Sequence, residues 1–249
     1  QAVVALHQRP EVDGRELPLP YHDAAVDHRV GSLRTGAQQQ AFDSGGSLSD
    51  KLSYRLNLNR LRSHGWIDHG DASSDFISAA LRWQASEDLA FTLAHDYGDQ
   101  RPQNYFGTPL IKGHLQDSLR NKNYNVRDDK QHYNDQWTRL TSDWQINDSV
   151  SASNELYYLK AQRRWQNAEN YNFDAGTQQL SRSGYFGIGH KQEQVGDRQT
   201  FTFKHSLFGL DSQTVSGVEY NRIRFQLNSN SPFNDVLPTG QAVDLYHPQ

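Results

Sequence analysis

Apolar and polar residues alternate along both halves of the segment 136–166, which is the two-residue period of a half-buried β-strand. In the first half, Leu140 and Trp144 fall on even positions with polar residues between them. A turn sequence at 147–149 interrupts the alternation, which resumes at Val150 and continues through Leu156. The segment therefore predicts a hairpin. Each arm is long enough to cross a bilayer as a tilted strand, for which about 9 to 11 residues are needed.

The same alternation recurs along the rest of the chain and predicts about nine strands. They are expected near residues 24–33, 35–47, 52–59, 77–84, 89–94, 136–146, 150–160, 201–207 and 218–225. Short turns are expected at 47–50, 86–88, 147–149 and 208–211, and long polar loops at 63–74, 98–135 and 167–191. Short turns at one end and long loops at the other are typical of an outer-membrane barrel.

The predicted fold class is therefore all-β: an antiparallel transmembrane β-barrel meander with short periplasmic turns and long extracellular loops. Bacterial single-chain barrels have an even number of strands, so about nine strands predict a partial barrel. Composition agrees, because only 35% of the 249 residues are hydrophobic while 11% are aromatic. A barrel with a wet interior needs an apolar residue only at every second strand position.

Other features of the composition exclude classes of function. The formal net charge of −4 gives no case for nucleic-acid binding. The absence of cysteine excludes disulfides, thiolate metal sites and cysteine nucleophiles. No nucleophile with an adjacent base was found near the carboxylates Asp128, Asp129 and Glu155, so the protein is not expected to be an enzyme.

Several segments of the chain resemble TonB-dependent siderophore receptors of Gram-negative outer membranes. They are AVVALHQRP near the start, SLSDKLSYRLN followed by GWID, RPQNYFGTPL, RNKNYNVRDD, RRWQNAENYNFD and RSGYFGIGHKQEQVGDR. The combined order of these segments carries the resemblance, because none of them is diagnostic alone. In this family a plug domain fills a barrel of about twenty-two strands.

The resemblance implies that residues 1–20 are the end of the plug domain with its connector, and that residues 21–249 are the N-terminal part of the barrel. It implies uptake of a ferric siderophore across the outer membrane. The expected partners are the siderophore, outer-membrane lipid and, through a region that this chain lacks, the TonB energy-transducing complex. Neither a cofactor nor a resident metal is expected.

The resemblance also implies which residues bind the ligand, since a bulky and often anionic ferric chelate suits aromatic walls and arginine. The expected contacts are Arg101, Tyr105, Phe106, Arg163, Trp165, Tyr171 and Tyr185. Strand parity places Arg163 and Trp165 on the lumenal side and Arg164 on the other. The alternative is that aromatics at strand ends form the interfacial girdle and that the charges solvate the loops.

Two alternative functions remain at this stage. A passive porin-like barrel would share the strand pattern, although its outer loops are shorter than those expected at 98–135 and 167–191. A haem receptor of the same family would use His190, in the sequence GIGH, although the eleven histidines show no paired metal-ligand spacing.

Overall fold

The computed structural model describes residues 25–33, 36–230 and 242–248. Within them the chain forms one antiparallel sheet in which each of β1 to β8 pairs with the next strand in sequence. The strands are β1 Ala25–Leu33, β2 Ala37–Ser49, β3 Leu52–Ser63, β4 Ala72–Gln84, β5 Leu89–Arg101, β6 Lys130–Asn147, β7 Val150–Asp174, β8 Gln179–Leu207, β9 Leu210–Ser229 and β10 Ala242–Asp244. β10 pairs with the first residues of β8, and Asp117–Leu119 forms a turn of 3-10 helix.

The predicted all-β antiparallel meander is confirmed. Among the described residues, β1 and β9 do not pair with one another, so the sheet is open as expected for a partial barrel. Residues 1–20, expected to belong to a plug domain and its connector, lie outside the described residues. No described helix is long and apolar enough to cross a membrane.

The predicted short turns are confirmed, but the expected loop at 167–191 is wrong. These residues belong to β7 and β8, which continue to a tip at 175–178. Their sequence shows no regular apolar alternation, so the strand period was hidden. Contacts from distant parts of the chain cover the strand edges: Ala168 donates its backbone N–H to Asn125 Oδ1, and β10 pairs with β8.

The other expected boundaries shift by a few residues. The loop expected at 98–135 is shortened to 102–129, because β5 and β6 extend further than their apolar alternation. The loop expected at 63–74 is shortened to 64–71. The short strand β10 was not predicted.

One face of the sheet, here called the apolar face, carries a band of large hydrophobic side chains across β4 to β7. Directly opposite residues on neighbouring antiparallel strands share a face. Leu81, Leu93, Leu140 and Leu156 form one such row across β4 to β7. Each of the four is 40% to 49% exposed, so the row presents its surface outward and forms no internal core. Lipid is the environment that suits such a band.

The opposite, polar face carries ion pairs between neighbouring strands. Arg139 Nη2 lies 2.8 Å from Asp96 Oδ2, and Arg198 Nη2 lies 3.1 Å from Glu219 Oε2. Such pairs are typical of the wet interior of a barrel, where polar side chains satisfy one another and water. The polar face is therefore the lumenal face.

The connection between β5 and β6 packs with the tips of β7 and β8 into a small core at the loop end of the sheet. Its buried members are Leu119, Tyr124, Leu180, Val243 and Leu245. The Tyr124 hydroxyl donates to the Leu245 carbonyl oxygen at 2.7 Å, and burial raises the Tyr124 pKa to about 12. We call this assembly the loop cap. It fixes a long connection that would otherwise be solvated.

Candidate functional site

β7 and β8 extend well beyond the apolar band. They contain 25 and 29 residues, whereas a tilted strand crosses a bilayer with about 9 to 11. We call residues 162–174 and 179–191 the upper hairpin. Its side chains alternate between the two faces, so the polar-face side forms a wall continuous with the lumen, here called the inner wall.

Arg163 is held on the inner wall by two neighbours on β6. Its Nη2 lies 3.0 and 3.1 Å from the two carboxylate oxygens of Asp135. Its guanidinium carbon lies 5.3 Å from the centre of the Tyr133 ring, in a cation–π arrangement. Both bonds to Asp135 use the same nitrogen, so the remaining donors of the guanidinium are available to a ligand in a fixed orientation.

Aromatic rings adjoin Arg163 on the same wall. Trp165 and Phe186 meet edge to face with ring centroids 6.2 Å apart. His190 lies directly opposite Arg163 in the register, and its ring lies 5.3 Å from that of Phe225 on β9. Together they give the inner wall flat apolar surfaces beside a positioned cation.

Buried polar atoms without partners run up β7 from Trp165. The unpartnered atoms are Trp165 Nε1, both side-chain amide atoms of Asn167, Glu169 Oε1 and Tyr171 Oη, as judged among the described residues. Asn167 is 0% exposed. These four residues occupy alternate positions and therefore share the inner wall. Burial raises the Tyr171 pKa far above its usual range, so the hydroxyl keeps its proton and can donate.

The connection between β5 and β6 is attached to β7 where the inner wall begins. Asn104 Nδ2 donates to the Gln166 carbonyl oxygen at 3.2 Å. Gln166 Nε2 in turn donates to Asp128 Oδ2 at 2.8 Å. Because these bonds join residues far apart in sequence, the wall and the loop cap are held as one structure.

Two of the residues expected to bind ligand, Arg163 and Trp165, lie together on the inner wall. They lie on the face opposite Leu156, and Arg164 lies on the Leu156 face, as parity predicts. Tyr171 lies higher on the same wall, with its ring centroid 6.1 Å from that of Tyr124 in the loop cap.

The other four expected residues are not part of that group. Tyr185 lies on the apolar-face side of β8, and its hydroxyl donates to Asp128 Oδ2 at 2.6 Å. Arg101 lies on the apolar-face side of β5, near Asp99. Tyr105 packs edge-on against Trp66 at 4.9 Å, and Phe106 is 39% exposed beside it in sequence.

Sequence reasoning missed Asn167 and Glu169, although both share the parity of Trp165. Their odd positions would have predicted the same face as Trp165, but alternation applies only within a strand, and residues 167–191 were predicted to be a loop. The described residues contain no group of three or more histidine, aspartate and glutamate side chains placed to hold a metal ion.

Several solved outer-membrane receptors have a similar fold. The pyoverdine receptor FpvA of Pseudomonas aeruginosa PAO1, bound to pyoverdine, matches with a TM-score of 0.78 and 13% identity over 90% of this chain and 33% of that one. The open form of the ferric-catecholate import receptor Fiu of E. coli K12 matches with a TM-score of 0.75 and 14% identity over 92% of this chain and 38% of that one.

The ferric preacinetobactin receptor BauA of Acinetobacter baumannii matches with a TM-score of 0.69 and 13% identity, over 86% of this chain and 32% of that one. This chain therefore has the fold of these receptors and spans about a third of their length. Neither a protein-family model nor a curated protein sequence matches it.

Proposed function

We propose that this chain belongs to an outer-membrane receptor that binds a ferric siderophore on the inner wall and imports it with energy from the TonB complex. The observation that carries the proposal is the Arg163 guanidinium, which Asp135 orients on the inner wall while the side chain stays 41% exposed. The rings of Trp165 and Phe186 lie beside it on the same wall. A cation held in place next to aromatic surfaces can bind an anionic chelate through charge-assisted hydrogen bonds and stacking.

The inner wall matches the chemistry of a ferric chelate. The free donors of Arg163 suit negative charge on the chelate, and the rings of Trp165 and Phe186 suit its flat apolar parts. The neighbours in fold are described as receptors for ferric preacinetobactin, pyoverdine and ferric catecholates, which supports a ferric siderophore as the class of ligand.

The first experiment measures binding of ferric pyoverdine, ferric preacinetobactin and a ferric catecholate to the intact protein in detergent by fluorescence quenching. Trp165→Ala should weaken binding of the recognised chelate by about 1–3 kcal/mol, the range for a packed hot-spot residue. Arg164→Ala, the neighbouring residue on the opposite face, is the control and should leave affinity unchanged. A larger effect of Arg164→Ala, or no effect of either change, contradicts the proposal.

Haem is a second candidate ligand, because His190 lies on the inner wall directly opposite Arg163 and beside the Phe225 ring. A haem receptor should give a Soret absorption band on addition of haemin, and the band should be lost in His190→Ala. A passive porin is less favoured than either receptor, because the loop cap packs over the loop end of the sheet with a buried core of its own.

A further inference from the structure

A recess of about 570 Å³ lies at the upper hairpin. Most of its lining residues lie on the apolar-face side of the sheet, and Arg163, Trp165 and His190 of the inner wall also line it. Its cationic side chains on the apolar-face side are Lys130 on β6, Arg164 on β7 and Lys191 on β8. The register places all three on the apolar-face side of the sheet, above the end of the apolar band. Nothing in the proposed siderophore site uses these residues.

The three cations lie on one diagonal of the sheet, with Arg164 in the middle. Lys130 lies opposite Gln166, and Lys191 lies opposite Gln162, so each is a diagonal neighbour of Arg164. Diagonal neighbours in a sheet are roughly 7–8 Å apart, which is within reach of one shared anion for such long side chains.

The carboxylates of Asp99, Asp128 and Glu193 do not line the recess, and no other aspartate or glutamate of the described residues lines it. Asp99 binds His132 at 2.7 Å, and Asp128 accepts hydrogen bonds from Gln166 and Tyr185. Glu193 stands one row below Lys191 on the same face, opposite Lys160. In the described parts of the chain, none of the three recess cations forms an ion pair, and Arg164 donates to the neutral Gln166 Oε1 at 3.3 Å. The recess therefore keeps a net positive charge.

Two glycines make room at the centre of the recess. Gly189 lies directly opposite Arg164, and Gly187 lies opposite Gln166. A Cβ placed on either would lie 3.7 Å or more from the nearest atoms, which belong to Asn228 or Asn230, and so would be in ordinary van der Waals contact. The absence of a side chain at Gly189 lets a bound group approach the backbone between the cations.

The position of the recess indicates which anion reaches it. Tyr158 and Val195 face each other in the last apolar row, and Lys191 lies four residues above Val195. At about 3.3 Å per residue and a tilt of about 45°, that is roughly 10 Å along the membrane normal. Lysine and arginine side chains are long enough to reach down from there to lipid headgroups. A group bound here stands outside the barrel, where lipid stands.

We propose that this recess binds the phosphorylated headgroup of a lipid in the outer leaflet, through Lys130, Arg164 and Lys191. The inference rests on the proposed outer-membrane location. Arginine bonds phosphate with two parallel N–H donors, and flanking lysines add point charges. The bound lipid would stabilise the upper hairpin from its outer side.

The test compares the intact wild-type protein with Arg164→Gln/Lys191→Gln. The control, Lys51→Gln/Lys204→Gln, removes the same charge near the short turns. Each protein is placed in detergent with bisphosphorylated lipid A, with dephosphorylated lipid A, or with inorganic phosphate alone, and bound lipid is counted by native mass spectrometry. The wild type and the control should bind the phosphorylated lipid, and the recess variant roughly 10- to 30-fold more weakly.

Equal binding of phosphorylated lipid by wild type and recess variant overturns the inference. So does equal binding of the dephosphorylated lipid, or full displacement of the lipid by millimolar inorganic phosphate. Siderophore binding should be unchanged in the recess variant, so a failure here leaves the receptor proposal intact. A failure of the receptor proposal would instead appear in Trp165→Ala, which keeps all three recess cations.

Discussion

Tyr157 lies across Gly196, the residue directly opposite it on β8, and donates its hydroxyl to Glu219 Oε1 on β9 at 2.9 Å. One side chain thus links three consecutive strands on the polar face. Glu219 also accepts from Arg198 Nε at 3.1 Å, so the carboxylate is shared by two strands. The aromatic ring covers the glycine, an arrangement that fixes register in curved sheets.

Gly196→Ala should destabilise the sheet, because a Cβ at this position overlaps the Tyr157 ring. Overpacking of this kind costs about 1–3 kcal/mol. Gly189→Ala on the same strand is the matched control, since the nearest atom to its Cβ would be 3.9 Å away. Urea unfolding of the intact protein in detergent, followed by tryptophan fluorescence, measures both. Equal costs at the two glycines would show that Tyr157 moves aside freely.

Leu140→Arg should block membrane insertion, and Thr141→Arg should be tolerated. Leu140 sits in the leucine row between Leu93 and Leu156, and an arginine at the bilayer midplane costs about 2–4 kcal/mol. Thr141 points to the polar face, directly opposite Glu155, which can pair with the new charge. The measurement is the fraction of the protein in outer membranes whose mobility in gel electrophoresis changes when the sample is heated. The same fraction for both variants would contradict the assignment of faces.

Stability of the loop cap should fall as pH rises from about 4 to 6. Burial, together with the neighbouring charge of Asp128, raises the pKa of Asp129 from 3.8 to about 6. The folded loop therefore binds this proton more tightly than the unfolded chain does. The stabilisation is present below the unfolded pKa and is lost as pH rises through the folded pKa. Hydrogen exchange of residues 117–129, corrected for intrinsic rates, should show weaker protection at pH 7 than at pH 4.5.

Asp129→Asn removes that titration and should raise protection of the loop at pH 7. Asp128→Asn is the control, and it should change the protection of the loop in the opposite direction. Asp128 accepts hydrogen bonds from Gln166 and Tyr185, and an amide accepts them less well than a carboxylate. Asp128→Asn should therefore lower protection at both pH values. A pH dependence that persists in Asp129→Asn would assign the effect to another group.

Tyr124→Phe should loosen the loop cap while leaving the sheet intact. It leaves the buried Leu245 carbonyl oxygen without its donor, which costs about 1–3 kcal/mol. Limited proteolysis should then cut within 111–126 faster than in the wild type. Tyr105→Phe is the control, because the Tyr105 hydroxyl bonds only the nearby Thr108 at 2.6 Å among the described residues. Equal cleavage of the two variants would contradict the prediction that the Tyr124 hydrogen bond holds the loop cap in place.

The sequence predicted the strands correctly where one face of the sheet meets lipid. In that environment every second residue must be apolar, so apolar and polar residues alternate. Leu140, Trp144 and Leu156 therefore gave the strands and their parity. Above the bilayer neither face is constrained in this way, and residues 167–191 show no period. Their strand structure depends on partners such as Asn125 and β10, more than 40 residues away in sequence. Such contacts leave no local signal.

The candidate site was predictable to a similar extent. Parity correctly placed Arg163 and Trp165 on the polar face. Tyr185 and Arg101 were chosen for their chemical type, and the register places both on the other face. Asn167 could not be chosen by type, since an asparagine in a polar segment is unremarkable until its burial is known.

The length of the upper hairpin also determines what a large particle outside the cell meets first. Above Lys160, β7 continues to Asp174, and at about 3.3 Å per residue with a tilt of about 45° this part rises roughly 30 Å. The tip at 175–178 thus stands clear of the lipid surface, and its residues are exposed. An antibody raised against this tip should bind whole cells without entering the barrel, which makes the tip a natural epitope for surface labelling.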